Sequence, residues 1–438
     1  MIRESMKYPR VMLAGANSGV GKTTFTMGLI LALKKRGLKV QPFKAGPDYI
    51  DPSYHSLASE KSCHNLDTWI LSREAVLELF ERKAREADIS IIEGVMGLYD
   101  GLKDTEQGSS AQLAKMLKSP VILIIDSCSM SRSTAAVALG YKEFDKDVGL
   151  RGVILNNIGS LSHYTSAKAA IENRTGLSVL GFLPRDKNLT LPERHLGLIP
   201  AGEKIPLKAF SDRLLSLVEK NIDIDKIIDI SRNAQIFPQA KKRLFINNSL
   251  QNKVTIAIVK DEAFNFYYQD NLDILKHNGG NLIEFSALRD KILPQCADGL
   301  YIGGGFPELF ARELSKNTSL KNDICEKAKG GMPIYAECGG LMYLMKELID
   351  FKDKSFPMVG IFDGSIKMAD RLRTLGYVNI KVFKDNILSN KGINAKAHVF
   401  HWSYLDNISN KETFAYKVDK NKGKMFLDGL TKWNVLAS

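Results

Sequence analysis

Cysteine is scarce and scattered: the five residues Cys63, Cys128, Cys296, Cys325 and Cys338 form no C-x-x-C pair. That excludes a disulfide framework, offers no zinc-ligand spacing and fits a reducing compartment. No apolar run reaches the roughly 18 residues that a membrane helix needs. The opening MIRESMKYPRVMLAGANSG has too short an apolar run before its glycines for a secretory leader. A cytoplasmic location with no membrane partner is the expectation. Internal repeats and low-complexity tracts are also missing. Tryptophan is limited to three residues, and no dense basic block interleaved with aromatics accompanies the net charge of +12. Nucleic acid is therefore not an expected partner; the charge excess reads as solvating surface, or as attraction for a small multi-carboxylate substrate.

What is present is a conventional globular composition. The 438 residues are 44% hydrophobic and 25% charged, enough for two or three domains of ordinary size. Short β-rich runs alternate with segments of helical periodicity: RVMLAGA (10–16), LKVQPFKAG (38–46), DISIIEG (88–94), PVILIID (120–126), GVILNN (152–157) and SVLGFLP (178–184). This alternation predicts a parallel sheet covered by helices, with ligands gathered at the carboxyl ends of its strands. A polar, Asn-rich stretch from about 221 to 253 breaks the pattern. The organisation expected is a domain over 1–235, a linker over 236–253 and a second domain over 254–438. VTIAIVKD, NLIEF, DGLYIGGG and MPIYAECGG restart the strand grammar there, and GYVNIKVF and AHVFHWSYL look β-rich. The fold class expected is α/β throughout: a P-loop parallel-sheet domain, then a second α/β domain.

The strongest chemical signal is RVMLAGANSGVGKTTFTMGLILALKK, an apolar strand, a glycine-rich turn and a helix opened by Lys-Thr-Thr. Glycines such as Gly19 and Gly21 let backbone N–H groups close around phosphate oxygens, and the helix N-terminus adds positive potential. Lys22 then reaches the β and γ phosphates, with Thr23 and Thr24 at the helix start and the Thr23 hydroxyl suited to Mg²⁺. A strict P-loop has glycine where Ala16 stands, with Gly15 just before it. Glu93 ends the DISIIEG strand, where a carboxylate holds Mg²⁺ or a bridging water. Asp48 and Asp51 in FKAGPDYIDP and Asp100 in GLYDG are further carboxylates at strand ends, as metal ligands or acceptor-positioning groups, or as plain turn formers. Asn156 ends another strand, where its amide is placed to read adenine. Mg²⁺ and ATP are the cofactor and co-substrate this pattern calls for.

In the second domain MPIYAECGGLMYLMKEL sets Cys338 between an apolar strand and a helix, among the small residues Ala336, Gly339 and Gly340. That is the strand–nucleophile–helix arrangement, and the helix N-terminus is expected to lower the thiol pKa. His398 and His401 in AHVFHWSY supply a base; three residues apart on a strand, they face opposite ways, so at most one faces Cys338. The glycine run Gly303, Gly304 and Gly305 is a source of backbone donors for an oxyanion.

Taken together, ANSGVGKTT, FKAGPDYIDP, EGVMGLYDG, LPERHLGLIPA, GGGFPE, YAECGGLMYL and AHVFHWSYL resemble, in order and spacing, the cobyrinic acid a,c-diamide synthase family of glutamine-dependent amidotransferases. The resemblance spans almost the whole chain. It implies an N-terminal synthetase similar to dethiobiotin synthetase and a C-terminal class I type glutaminase. It implies further that Cys338 attacks the amide of L-glutamine and that His401 is the base, four residues after a strand-end glycine replaced here by Ala397. Ammonia would pass to the synthetase, where ATP held by Lys22, Thr23 and Glu93 phosphorylates a carboxylate of a tetrapyrrole polycarboxylate. Asp48, Asp51 and Asp100 match the family's acidic positions near the γ-phosphate and acceptor. Ala397 and Val399 stand where relatives have Gly and Glu, and Ser403 stands two residues beyond His401 where a triad glutamate would be.

Cobyrinate is the substrate expected, with cobalamin biosynthesis as the setting and a homodimer as an admissible assembly. The same reaction on Ni-sirohydrochlorin, for coenzyme F430, is the alternative. Arg185, Arg194 and His195 are the basic residues placed to meet substrate carboxylates. A reading from another class, a P-loop partitioning or regulatory ATPase, meets Asn17 where such proteins often carry a signature lysine.

Overall fold

The computed structural model describes residues 7–189, 193–194, 197–198, 207–246, 253–409, 413–420 and 425–438. It divides into two compact units, Met1–Ile246 and Asn247–Ser438.

The first unit is built on a seven-stranded sheet of β1 (Arg10–Gly15), β2 (Val40–Ala45), β3 (His64–Leu66), β4 (Ile89–Gly97), β5 (Val121–Asp126), β6 (Leu150–Ile158) and β7 (Ser178–Pro184). Their order across the sheet is β3-β2-β4-β1-β5-β6-β7, parallel throughout. The connecting helices are α1 (Lys22–Lys35), α2 (Asp51–Ser59), α3 (Arg73–Ala84), α4 (Ser110–Leu117), α5 (Ser133–Phe144) and α6 (Leu161–Thr175). Every residue of β1 and β2 is buried, as strands covered on both faces must be. The six expected strands are all present; β3 is additional, too short and polar (His-Asn-Leu) to show a period. Because β4 lies between β1 and β2, Leu13 and Lys44 both stand in register with Glu93. Three strand ends thus meet on one edge, which is where an open α/β sheet binds ligands.

A ribbon of β8 (Glu193–Arg194) and β9 (Gly197–Leu198) follows, then α7 (Leu207–Asn221) and α8 (Ile224–Arg232). His195 and most of the LPERHLGLIPA segment lie outside the described residues, as does the side chain of Arg194. The start of the expected linker is fastened to this unit. Phe237 is buried against Phe80 and Tyr8, at ring distances of 5.1 and 5.4 Å. The buried Arg10 guanidinium donates to the Gln235 carbonyl at 2.7 Å and to three others. Glu78 accepts the N–H groups of Arg243, Leu244 and Phe245 at 2.6, 2.8 and 3.1 Å.

The second unit carries a nine-stranded mixed sheet and a smaller four-stranded one. Its strands are β10 (Val254–Val259), β11 (Phe264–Phe266), β12 (Gly280–Phe285), β13 (Gly299–Ile302), β14 (Gly304–Gly305), β15 (Ile334–Ala336), β16 (Met345–Ile349), β17 (Ser355–Pro357), β18 (Phe362–Met368), β19 (Thr374–Val382), β20 (Asn394–His401), β21 (Ser403–Asp406), β22 (Thr413–Asp419), β23 (Met425–Lys432) and β24 (Val435–Ala437). The helices are α9 (Gln269–His277), α10 (Ala311–Lys316), α11 (Thr318–Lys329) and α12 (Gly339–Leu344). The large sheet runs β12-β10-β13-β15-β24-β23-β22-β19-β20. Its first five strands are parallel, with β13, β15 and β24 the most buried; β23, β22, β19 and β20 extend it antiparallel. The parallel half matches the strand grammar of the sequence. The antiparallel half and the sheet of β16, β17, β18 and β21 are half-exposed, so their short apolar stretches gave a weaker pattern. No described helix is long and apolar enough to cross a membrane.

Candidate active sites

At the phosphate loop, β1 ends at Gly15 and α1 begins at Lys22, with Gly21 as its N-cap at φ 89°. A side chain at Gly21 would be strained by that φ, and its Cβ would lie 2.4 Å from the Asn156 amide nitrogen. Asn156 donates that nitrogen to the Val20 carbonyl at 2.8 Å, so it braces the loop. Gly19 is also at positive φ, 79°. Lys22 is buried and donates to the Met96 carbonyl at 2.7 Å. Burial, with Lys44 nearby, pulls its pKa down. Thr24 follows in the first turn of α1.

Beside the loop is a buried charge network. Glu93, at the end of β4, accepts from the Thr23 hydroxyl at 3.0 Å and from the Lys44 ammonium at 2.8 Å, and pairs with His55 Nε2. Lys44 Nζ also reaches Asp51 at 2.6 Å and Asp48 at 3.8 Å. Asp48 Oδ1 accepts the N–H groups of Ile50 and Asp51 and so starts α2. Burial alone would push Glu93 up, but Lys44 and His55 overcome it and hold the carboxyl well below its ordinary range. Asp51 goes the other way: burial and neighbouring Asp48 raise it more than its share of Lys44 lowers it. Lys44 itself is raised, because Asp51, Glu93 and Asp48 outweigh its burial. Asp100 accepts the Gly97 N–H at 2.9 Å, a turn-forming bond, while its charge still reaches Lys22.

The structure therefore brings Lys22, Thr23, Glu93, Asp48, Asp51 and Asp100 to one strand edge. Two members were missed from sequence: Lys44, whose only signal was a lone cation inside the apolar run VQPFKA, and His55, hidden in a helix. Thr23, Glu93, Asp48 and Asp51 form a set of hard oxygen donors that fits Mg²⁺, and the Lys44 ammonium is the cation among them here.

In the second unit Cys338 follows β15 at φ 49°, ψ −105°, a sparsely populated geometry for a residue with a side chain. Its N–H donates to the Ser438 carbonyl at 2.7 Å, and the Glu337 N–H to the Ile302 carbonyl at 2.9 Å. Gly339 packs against Pro307 and Gly305: a Cβ there would lie 2.9 Å from Pro307 Cδ and 3.1 Å from the Gly305 nitrogen. Cys338 is open to solvent on one side yet crowded by protein on the others. The expected depression of its pKa is not found. Crowding, with the nearby Glu308, Glu337 and Asp428 carboxylates, pushes the thiol up to about 12, outweighing the Gly339 backbone bond that favours the thiolate. The helix that follows, Gly339–Leu344, is too short to reverse the balance.

Of the three glycines after β13, Gly303 donates its N–H to the Tyr267 hydroxyl at 2.7 Å. Gly304 lies nearest the nucleophile, with a Cβ position 3.4 Å from Cys338 Cβ. His401 ends β20, and its Nδ1 pairs with the Ser403 carbonyl at 2.7 Å. Burial lowers its pKa and favours the neutral ring. Among the described residues no hydrogen bond joins His401 to Cys338; Asp428 on β23 is near enough to act on both. His398 faces the Tyr377 and Phe400 rings. Glu308, Glu337 and Asp428 were not singled out from sequence, since acidic residues next to glycines or on a β-strand carry no distinctive spacing.

Comparison with known proteins agrees with this division. Residues 11–199 match the CobQ/CobB/MinD/ParA nucleotide binding domain, and residues 255–438 match the CobB/CobQ-like glutamine amidotransferase domain. A cobyrinate a,c-diamide synthase of Dehalococcoides mccartyi is 45% identical over 440 residues, covering 99% of this chain and 94% of the relative. The protein of that name from Caldanaerobacter subterraneus is 44% identical, covering 98% and 93%. One from Picrophilus torridus is 44% identical, covering 99% and 94%. With such identity sustained over nearly its full length, the chain belongs to the cobyrinate a,c-diamide synthase family.

Proposed function

We propose that this chain amidates the a and c side-chain carboxylates of cobyrinate, using ATP and glutamine-derived ammonia, in cobalamin biosynthesis. The observation that carries the reading is one chain bearing both a phosphate loop with a buried acidic cluster and a cysteine elbow in an amidotransferase domain. The names of its relatives favour cobyrinate over Ni-sirohydrochlorin.

In the glutaminase unit, the Cys338 sulfur adds to the glutamine amide carbon, ammonia leaves, and water hydrolyses the thioester to glutamate. A thiol held near 12 is mostly protonated at neutral pH, so the proton must go to a base as sulfur attacks. His401 is the residue we assign to that step: its Nδ1 is fixed by the Ser403 carbonyl, which leaves Nε2 as acceptor. The Gly339 N–H bonds the sulfur and Gly304 lies against Cys338, so both are positioned to offer backbone donors to the oxyanion.

In the synthetase unit, Lys22 and the loop N–H groups around Gly19 and Gly21 bind the ATP phosphates, with Asn156 bracing the loop. Thr23, Glu93 and Asp48 would hold Mg²⁺, which when bound neutralises phosphate charge. Asp51 and Asp100 orient the acceptor. A substrate carboxylate oxygen attacks the γ-phosphorus and ADP leaves; ammonia then attacks the acyl carbon and phosphate leaves.

The test is mass spectrometry of products formed from glutamine and Mg-ATP with cobyrinate and Ni-sirohydrochlorin in competition. Double amidation of cobyrinate is expected. In Cys338→Ser, glutamine should fail to support the reaction while ammonium salts still do; loss of both activities contradicts two separable sites.

A further inference from the structure

Directly before the nucleophile sits a carboxylate that the reaction above does not use. Glu337 is half-buried, and its side chain accepts one bond to each oxygen: from the Tyr301 hydroxyl at 2.8 Å and from the Tyr335 hydroxyl at 2.6 Å. Among the described residues no cation bonds to it, unlike Glu93, which has Lys44. A carboxylate partly withdrawn from water and answered only by neutral donors carries a desolvation cost. Burial accordingly raises its pKa, although both tyrosines favour the charged form.

The surroundings show what it joins. Tyr301 on β13 and Tyr335 on β15 are directly paired in the sheet, with rings 5.3 Å apart. Glu337 follows the end of β15 by one residue and bonds the Tyr335 and Tyr301 hydroxyls there, just before the chain turns at Cys338. The Tyr267 ring stands edge-on to Tyr301 at 5.1 Å, and its hydroxyl receives the Gly303 N–H at 2.7 Å. One connected cluster, Gly303–Tyr267–Tyr301–Glu337–Tyr335, thus underlies both the glycine run and the cysteine elbow. The elbow needs such a hold, because Cys338 sits at φ 49° and ψ −105°.

We propose that Glu337 is a positioning residue for glutamine cleavage: clamped by the Tyr301 and Tyr335 hydroxyls, it fixes the strained elbow that presents Cys338 to the amide. The proposal rests on the glutaminase reading given above. The charged groups facing the thiol are Glu308 from the segment after the glycine run, Glu337 itself, and Asp428 from β23, which also acts on His401. Glu337 therefore does two things: it holds the elbow, and while ionised it opposes the thiolate.

Glutaminase kinetics and iodoacetamide alkylation of Cys338, followed by peptide mass spectrometry across pH, separate these roles. Glu337→Ala removes both hydroxyl bonds; kcat for glutamine should fall about 10–100-fold with KM changed far less, the scale of loss that small misplacement of a reacting group produces. Alkylation, which needs no aligned oxyanion donors, should fall much less. Glu337→Gln keeps the shape and can still bond both hydroxyls, so it should restore most of kcat, and its alkylation profile should move to lower pH because a negative charge has gone. Tyr301→Phe with Tyr335→Phe should reproduce the alanine defect. Near-UV circular dichroism reports whether each variant keeps its packing. A kcat within threefold of wild type in Glu337→Ala, equal defects in the Ala and Gln variants, or an unmoved alkylation profile in Glu337→Gln overturns the proposal. A wild-type chain without glutaminase activity, unaltered by Cys338→Ser, overturns the reading beneath it as well.

Discussion

Lys44 is the residue whose removal tests the synthetase site most directly. Its ammonium lies 2.8 Å from Glu93 and 2.6 Å from Asp51, with almost no exposure of Lys44 or Glu93. Lys44→Met keeps the length and packing of the side chain but takes the cation from the partly buried Asp51 and leaves the buried Glu93 with His55 alone. Breaking a buried pair in this way costs about 3–5 kcal/mol, mostly for the charge left behind. The pH dependence follows from the directions of the shifts. In the wild type Glu93 is depressed, so its stabilising contribution is present above the ordinary carboxylate pKa and is lost as pH falls through its folded value. In the variant Asp51 has burial without the cation and rises further, while Glu93 keeps only His55 against its burial and loses much of its depression. The variant is then penalised at neutral pH and relieved as acid protonates them. The gap between the two proteins should thus be widest near pH 7.5 and narrow toward pH 5. Urea unfolding followed by fluorescence at several pH values measures it, analysed as separate transitions because two units need not unfold together. Glu93→Gln added to Lys44→Met should recover part of the loss. A neutral-pH gap under about 1 kcal/mol, or one that does not change with pH, refutes the electrostatic account.

Three further outcomes are expected. Gly21→Ala places a methyl against the Asn156 amide at a φ of 89°, and should raise KM for ATP while leaving glutaminase activity alone, which steady-state kinetics on each half-reaction decides. Asn156→Ala removes the 2.8 Å brace on Val20 and should weaken nucleotide affinity by about 1 kcal/mol, read by titration with a fluorescent ATP analogue. Glu78→Ala frees three backbone N–H groups and should lower stability of the first unit by about 2–3 kcal/mol, with tryptic cleavage appearing at Lys241, Lys242 or Arg243.

The legibility of the sequence tracked burial. Strands buried on both faces, such as PVILIID and RVMLAG, announce themselves as apolar runs, and six of the seven strands of the first sheet do so. The phosphate loop and the cysteine elbow were readable because each needs a fixed spacing of glycine and one reactive residue. The antiparallel strands of the second unit were harder: β22 and β23 mix lysine, aspartate and aromatics on half-exposed faces. Site residues that work through contact rather than spacing stayed hidden. Lys44 and Glu93 are 49 positions apart, and only the sheet order puts their strands side by side. The raised thiol pKa was illegible for the same reason: the helix start is local in sequence, whereas Glu308 and Asp428 reach Cys338 only through tertiary folding.

The backbone at Cys338 also sets stability against chemistry at a single position. A conformation of this kind costs a residue with a Cβ on the order of 1–3 kcal/mol, and glycine alone escapes most of it. Replacing the nucleophile by glycine should therefore give a tougher protein with no glutaminase. Screens that reward thermal resistance alone would drift toward that dead form, and a cysteine at position 338 is held there by turnover.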